Sequence, residues 1–197
     1  TLTVNYDIQA SLERELDNVV SKYNPDNALA LVMNPNNGEI LAMSSRPNFS
    51  PSNYQNYTIE EINRNLPIWS TYEPGSTMKP FTIAAALENG TLTGDEVYHC
   101  SGSKVVYKGT KAIRCNNRNG HGYQTLSDGI ANSCNVVLMD VAAAMGSSEL
   151  LRYHATFGFG EKTGVDLPGE ASTAGLLFTE ENMGPLELAT SSFGQGF

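Results

Sequence analysis

The chain has little positive charge, few cysteines, one tryptophan and no long apolar run. Twelve Lys and Arg face 21 Asp and Glu, a formal net charge of −9 over 197 residues, which gives no general attraction to nucleic acid or to an anionic bilayer. No apolar stretch approaches the roughly 18 residues that a membrane span requires. The N-terminal TLTVNYDIQ has neither the basic region nor the small-residue cleavage site of a secretion signal. Three cysteines, Cys100, Cys115 and Cys134, are too few for a disulfide scaffold and odd in number. Gly and Pro are spread through the chain instead of gathered in tracts, and no internal repeat is present, which argues against a fibre and against disorder. The remaining possibility is one globular domain, or a large part of a two-layer domain.

Periodicity predicts where its elements fall. Asp7 can cap a helix carrying Ile8, Leu12, Leu16, Val19 and Val20 at spacings of three and four. ALALVMNPNNGEILAM reads as two strands around Pro35-Asn36-Asn37-Gly38, because Asn-Gly supplies the positive φ of a tight hairpin turn. Residues 44–70 read as a long excursion with one short helix near TIEEINRN, and a helix is expected from about Ser76 to Glu88. Residues 91–124 read as irregular. Thr125 with Asp128 starts a short helix that breaks near Asn132, a second runs to Gly146, and Ser147 can cap a third ending at Phe157. A last helical segment is expected within FTEENMGPLELATSSF.

The chemistry concentrates in YEPGSTMKP. On one helix, Ser76 and Lys79 share a face. A hydroxyl is a poor nucleophile at neutral pH and needs a base, which a lysine becomes when burial or a neighbouring cation lowers its pKa. Gly75 allows a tight entry, and Pro80, with no N–H to return to the Ser76 carbonyl, confines the serine to the first turn. The alternative is a helix-capping serine and a surface lysine. Ser-x-x-Lys is expected about once by chance at this length, and a second copy, Ser101 to Lys104, lies in the irregular region. Only the first copy sits at a helix start. In IANSCNVV, Ser133 and Asn135 are two apart and can face one cleft, offering a hydroxyl to relay a proton and an amide to hold a carbonyl or orient the lysine; the alternative is a simple helix cap.

Cys100, Cys115 and His121, spaced C-x14-C-x5-H, could close around Zn²⁺ with His99 or a carboxylate as fourth ligand. A Cys100–Cys115 disulfide and free thiols are the competing readings.

Ser76-Thr77-Met78-Lys79 followed by Ser133-Cys134-Asn135 resembles the first two signature motifs of penicillin-binding transpeptidases and serine β-lactamases. TLTVNYDIQASLERELD, MNPNNGEILAMSSRPNFSP, NRNLPIWSTYEPGSTMKPFTIAAALE, FGFGEKTGVDLPGE and ENMGPLELATSSFGQG extend the likeness along the chain to the class B penicillin-binding proteins, most of all their sporulation-specific branch in Gram-positive spore formers. The resemblance implies an α/β fold, a mixed sheet flanked by helices plus an all-helical part. It implies Ser76 as acylated nucleophile, Lys79 as base, Ser133 as proton relay and Asn135 as a substrate contact. The implied substrate is a peptidoglycan stem peptide ending in D-Ala-D-Ala, with β-lactams as acylating inhibitors and no cofactor required for acyl transfer. A glycosyltransferase partner and an extracytoplasmic location at the membrane, anchored by a segment outside these residues, are implied as well. A β-lactamase, a β-lactam sensor and an inactive cell-wall scaffold are the rival expectations. His121 in GHG is similar to a position found in family members without metal, and Cys134 is expected to pack beneath the site.

Lys162-Thr163-Gly164 imitates the family's third motif. Asp166, Pro168 and Gly169 nearby suit a turn, and no β-branched alternation surrounds the lysine. By the family pattern the true motif follows SFGQG by a long interval. Residues 1–197 are therefore expected to be the N-terminal portion of a transpeptidase domain, with the catalytic-strand region supplied outside this chain.

Overall fold

The computed structural model describes residues 2–197. These residues form two compact units, one of residues 2–71 with 165–171, the other of residues 72–164 with 172–197.

In the first unit, helix α1 (Tyr6–Tyr23) covers a hairpin of β1 (Ala28–Met33) and β2 (Ile40–Arg46). The strands are antiparallel and turn through residues 34–39, where Gly38 has φ 77°. Leu16 of α1 and Ala42 of β2 are buried in this layer. Gln9 extends the pairing from the helix: its side chain accepts from Met43 N at 2.9 Å and donates to Met43 O at 3.0 Å. The helix cap is Asn5, whose side chain accepts from the N–H groups of Asp7 and Ile8, and not Asp7. Asp7 lies instead in the first turn, where its charge opposes the positive helix end.

The excursion after β2 is more ordered than its composition predicts. It holds a 3₁₀ turn (Pro51–Asn56), α2 (Ile59–Asn63) and α3 (Leu66–Trp69). Thr58 and Glu61 close a capping box at the start of α2.

The second unit carries the larger core. The expected helix from Ser76 is split: Gly75–Met78 is a 3₁₀ turn, and α4 runs Lys79–Glu88 with Pro80 in its first turn. Residues 91–124, expected to be irregular, contain β3 (Val97–Cys100), β4 (Ser103–Lys104), β5 (Ile113–Arg114) and β6 (Gly122–Thr125). β3 pairs with β6 and β4 with β5, both antiparallel. Strands of two to four residues are too short to leave an alternating pattern in sequence.

Thr125 and Asp128 form a capping box on α5 (Leu126–Ala131), as their spacing predicts. α6 (Asn135–Met145) is apolar on nearly every side and mostly buried, with Val137, Leu138 and Val141 completely buried and Ala143 and Ala144 exposed. α7 (Ser147–Thr156) follows a single glycine; Ser147 is its first helical residue and makes no cap, because Gly146, with φ 87°, occupies the cap position. α8 (Pro185–Ser191) packs on α6. Lys162-Thr163-Gly164 lies in loop, as expected. The second Ser-x-x-Lys has no catalytic geometry: Lys104 forms an ion pair with Asp140 of α6.

Candidate active site

Ser76 sits in the 3₁₀ turn that precedes α4, entered through Gly75 at φ 59°. The turn is clamped from the chain segment after α8. Gly75 N donates to Gly194 O at 2.8 Å, Gly196 N donates to Glu73 Oε1 at 2.7 Å, and Thr82 Oγ1 donates to Ser192 O at 2.9 Å. A Cβ on Gly194 would fall 2.2 Å from Gly75 O, so only glycine allows this approach. The clamp joins residues some 120 positions apart and has no local sequence pattern that could announce it.

Lys79 follows one turn later and is 3% exposed. Its Nζ donates to Ser133 O at 2.7 Å, Ser133 Oγ at 2.8 Å and Asn135 Oδ1 at 2.8 Å. Ser133 Oγ in turn donates to Ser76 Oγ at 3.1 Å. The four residues singled out from the sequence therefore meet in one hydrogen-bonded chain, and the surface-lysine alternative is excluded by burial.

Ser133 reaches this position through a left-handed backbone, φ 51°, a conformation that costs a non-glycine residue of order 1 kcal/mol. The turn is held on both sides. Ser133 N donates to Ile130 O and Cys134 N to Gly129 O, Asn116 Nδ2 donates to Asn132 O at 3.2 Å, and Asn132 Nδ2 donates to the buried Gln124 Oε1 at 3.2 Å. Asn135 is fixed through its own amide, which donates to Arg114 O at 3.2 Å.

Burial holds the Lys79 pKa below its usual value near 10.5, while the thiols of Cys115 and Cys134 work in the opposite direction. The hydrogen bonds determine what the neutral amine can do. Two of its three acceptors, the Ser133 carbonyl and the Asn135 amide oxygen, cannot donate. The lone pair of neutral Lys79 must therefore accept from the Ser133 hydroxyl, which is then free to accept from Ser76. A proton leaving Ser76 has a continuous route to Lys79 through Ser133.

Directly behind this turn lie Cys100, Cys115, His121 and Cys134, with their ligand atoms all within 4.8 Å of one another. The fourth member is Cys134, inside the second motif, and not His99. His99 is on the other face of β3 and packs at a tilt against Tyr123 of β6, ring centroids 4.7 Å apart. Sequence alone could not select Cys134, which is separated from Cys115 by 18 residues, beyond any local ligand spacing. The three cysteines are free, so the Cys100–Cys115 disulfide is not formed.

The donors fit a tetrahedral divalent metal. Zinc bonds of about 2.3 Å to sulfur and 2.0 Å to nitrogen place tetrahedral donors roughly 3.5–3.8 Å apart; Cys115 Sγ is 3.7 Å from Cys134 Sγ and 3.8 Å from His121 Nδ1. Burial pushes the Cys115 thiol up, but hydrogen bonds from the N–H groups of Asn135 and Asn117 and from the Cys134 and Cys100 side chains together bring the net shift down. Burial raises the Cys134 thiol to about 11.

This fold and this hydrogen-bonded serine–lysine arrangement are of the penicillin-binding type. A match to the penicillin-binding protein transpeptidase domain covers residues 28–197, and the chain belongs to that family, as the transpeptidase domain of a class B member. It is 49% identical to stage V sporulation protein D of Bacillus subtilis (strain 168), over 99% of this chain and 30% of that protein. It is 32% identical to the peptidoglycan D,D-transpeptidase FtsI of Escherichia coli (strain K12), over 99% of this chain and 32% of that protein. Among solved structures, the apo transpeptidase domain of penicillin-binding protein 3 from Burkholderia pseudomallei superposes with TM-score 0.83 at 28% identity, covering 99% of this chain and 53% of that one. The chain thus spans about a third of the length of the curated relatives it matches.

Proposed function

We propose that the protein to which this chain belongs is a peptidoglycan D,D-transpeptidase working through a Ser76 acyl-enzyme. The observation that carries the reading is the chain Lys79 Nζ, Ser133 Oγ, Ser76 Oγ, with contacts of 2.8 and 3.1 Å. Ser76 Oγ attacks the carbonyl carbon of the penultimate D-Ala of a stem pentapeptide, and its proton passes through Ser133 to neutral Lys79. The same route returns the proton to the nitrogen of the departing D-Ala as the C–N bond breaks. An amine of a neighbouring stem then attacks the ester, releases Ser76 and completes a 4-3 crosslink. Asn135, anchored to Arg114 O and to Lys79, holds the lysine and presents its amide to the substrate peptide.

β-Lactams acylate the same serine because their strained amide imitates the D-Ala-D-Ala bond. Acyl transfer uses no cofactor. Cys100, Cys115, His121 and Cys134 would hold a structural Zn²⁺, which would pin the Ser133–Asn135 segment by its middle residue. The likeness to stage V sporulation protein D supports a sporulation role; an extracytoplasmic location at the membrane and a glycosyltransferase partner belong to the same proposal. Among the described residues no helix is long and apolar enough to cross a membrane.

The test is intact-mass spectrometry of the whole protein before and after benzylpenicillin, with the adduct mapped by peptide. One drug-sized increment on Ser76 that persists for hours is expected. Rapid loss of the adduct would favour a β-lactamase, and its absence from a folded sample an inactive scaffold.

A further inference from the structure

Charge is distributed very unevenly along the second unit. Residues 97–127 hold five cations, Lys104, Lys108, Lys111, Arg114 and Arg118, and no acid, hence +5; the rest of the unit holds three cations against 11 acids, hence −8. Lys104 is neutralised by Asp140. The other four are exposed, and none makes an ion pair among the described residues.

Their placement is tied to the active site. Lys108 and Lys111 ride on the connection between β4 and β5, Arg114 ends β5, and Arg118 follows it. The Arg114 carbonyl accepts from Asn135, and Cys115 shares its cluster with Cys134. The base of the excursion is rigid. Gly102 and Gly120 cross so closely that a Cβ on Gly102 would fall 2.2 Å from Arg118 O, and one on Gly120 would fall 2.2 Å from Cys100 O. The four exposed cations thus form a row along the chain that is tied to Asn135 at the Arg114 carbonyl, with exposed Val105 and Tyr107 just before them.

We infer that this row is the docking surface for the carboxylates of the stem peptide. The inference rests on the transpeptidase reading and adds the feature by which an acidic protein collects an acidic substrate. The −8 on the remainder of the second unit opposes a broad anionic partner such as a bilayer or a nucleic acid. A short peptide with a few carboxylates can occupy the excursion alone, because charges beyond about 8 Å are screened at physiological salt. Charge at such a rim acts mainly on encounter and salt dependence.

The experiment compares the whole protein with its K108E/K111E/R118E variant, none of these side chains belonging to the catalytic chain. Binding of a disaccharide-pentapeptide with free carboxylates, and of the same compound with its carboxyls amidated, is measured at low and high salt. At low salt the variant should bind the free-carboxylate ligand about tenfold more weakly. The difference should vanish in about 0.5 M salt, where the screening length falls to about 4 Å, and for the amidated ligand. Equal affinities of the two proteins overturn the inference. It is also overturned if phosphatidylglycerol vesicles bind the wild type and not the variant while peptide affinity stays unchanged. Benzylpenicillin acylation of Ser76 is read on the same samples. Its absence from the wild type strikes the transpeptidase reading, whereas equal peptide affinities with acylation intact strike only the docking surface.

Discussion

Ser133 Oγ donates to Ser76 Oγ at 3.1 Å from a backbone held at φ 51°. A non-glycine residue in this conformation persists when its surroundings fix it and its position is used. Replacing Ser133 with alanine should leave the fold intact and slow benzylpenicillin acylation about 10²-fold or more, and Lys79→Ala should do at least the same, since each removes a proton-transfer group. The base acts in its neutral form, so the wild-type acylation rate should rise with pH. Burial sets the midpoint of that rise below the ordinary lysine value near 10.5. Rates of adduct formation from pH 6 to 10 check this, and a pH-independent rate would contradict Lys79 as the base.

Gly194→Ala places a methyl group 2.2 Å from Gly75 O, at a φ of 79° that L side chains disfavour. Backbone stands on both sides of the contact, so neither yields cheaply. A loss of about 3 kcal/mol, roughly 10 °C in Tm, is expected together with loss of Ser76 acylation. Glu73→Gln keeps an acceptor for Gly196 N–H and should be nearly silent in both thermal melts and acylation, which separates the clamp from any need for charge at Glu73.

The sulfur cluster predicts one zinc per chain by elemental analysis, with the three thiols protected from modification in the native protein. Chelation, or Cys134→Ser, should lower Tm, because ligands brought together by folding return their binding energy as folding energy. A chelated sample with unchanged melting and three freely reacting thiols would count against the metal.

His154 reports on acid stability. Burial among Phe159 and Phe197 lowers its pKa from 6.5 to about 4. Between those values the unfolded chain binds a proton that the folded chain does not, so stability falls as pH drops from 6.5 towards 4, by at most about 3 kcal/mol from this group. His154→Phe should flatten that part of the stability profile, measured by urea unfolding at pH 4.5 and 7.

Much of the fold was legible because its signals are local. Asn36-Gly38 sets a hairpin turn, Thr125 and Asp128 close a box three residues apart, and the apolar run of α6 has nowhere to go but inside. Caps were less legible, because Asn5 and Gly146 compete with Asp7 and Ser147 one or two residues away and only the backbone path decides between them. The short strands of residues 97–125 left no pattern, since their stability comes from pairing and not from alternation.

The sequence by itself determined the spacing of the serine and the lysine: Ser76 and Lys79 lie one helical turn apart, with Pro80 in the first turn of the helix that follows. It also placed Ser133 and Asn135 two residues apart and so on one side of a turn. Tertiary structure decided which contacts those residues make. It brought Ser133 between Ser76 and Lys79 across more than 50 residues, chose Cys134 over His99 beside Cys115, and set Gly194 against Gly75. Such contacts depend on chain paths that no short window contains, because helix and turn chemistry act over a few residues while close approach is a property of the packed whole.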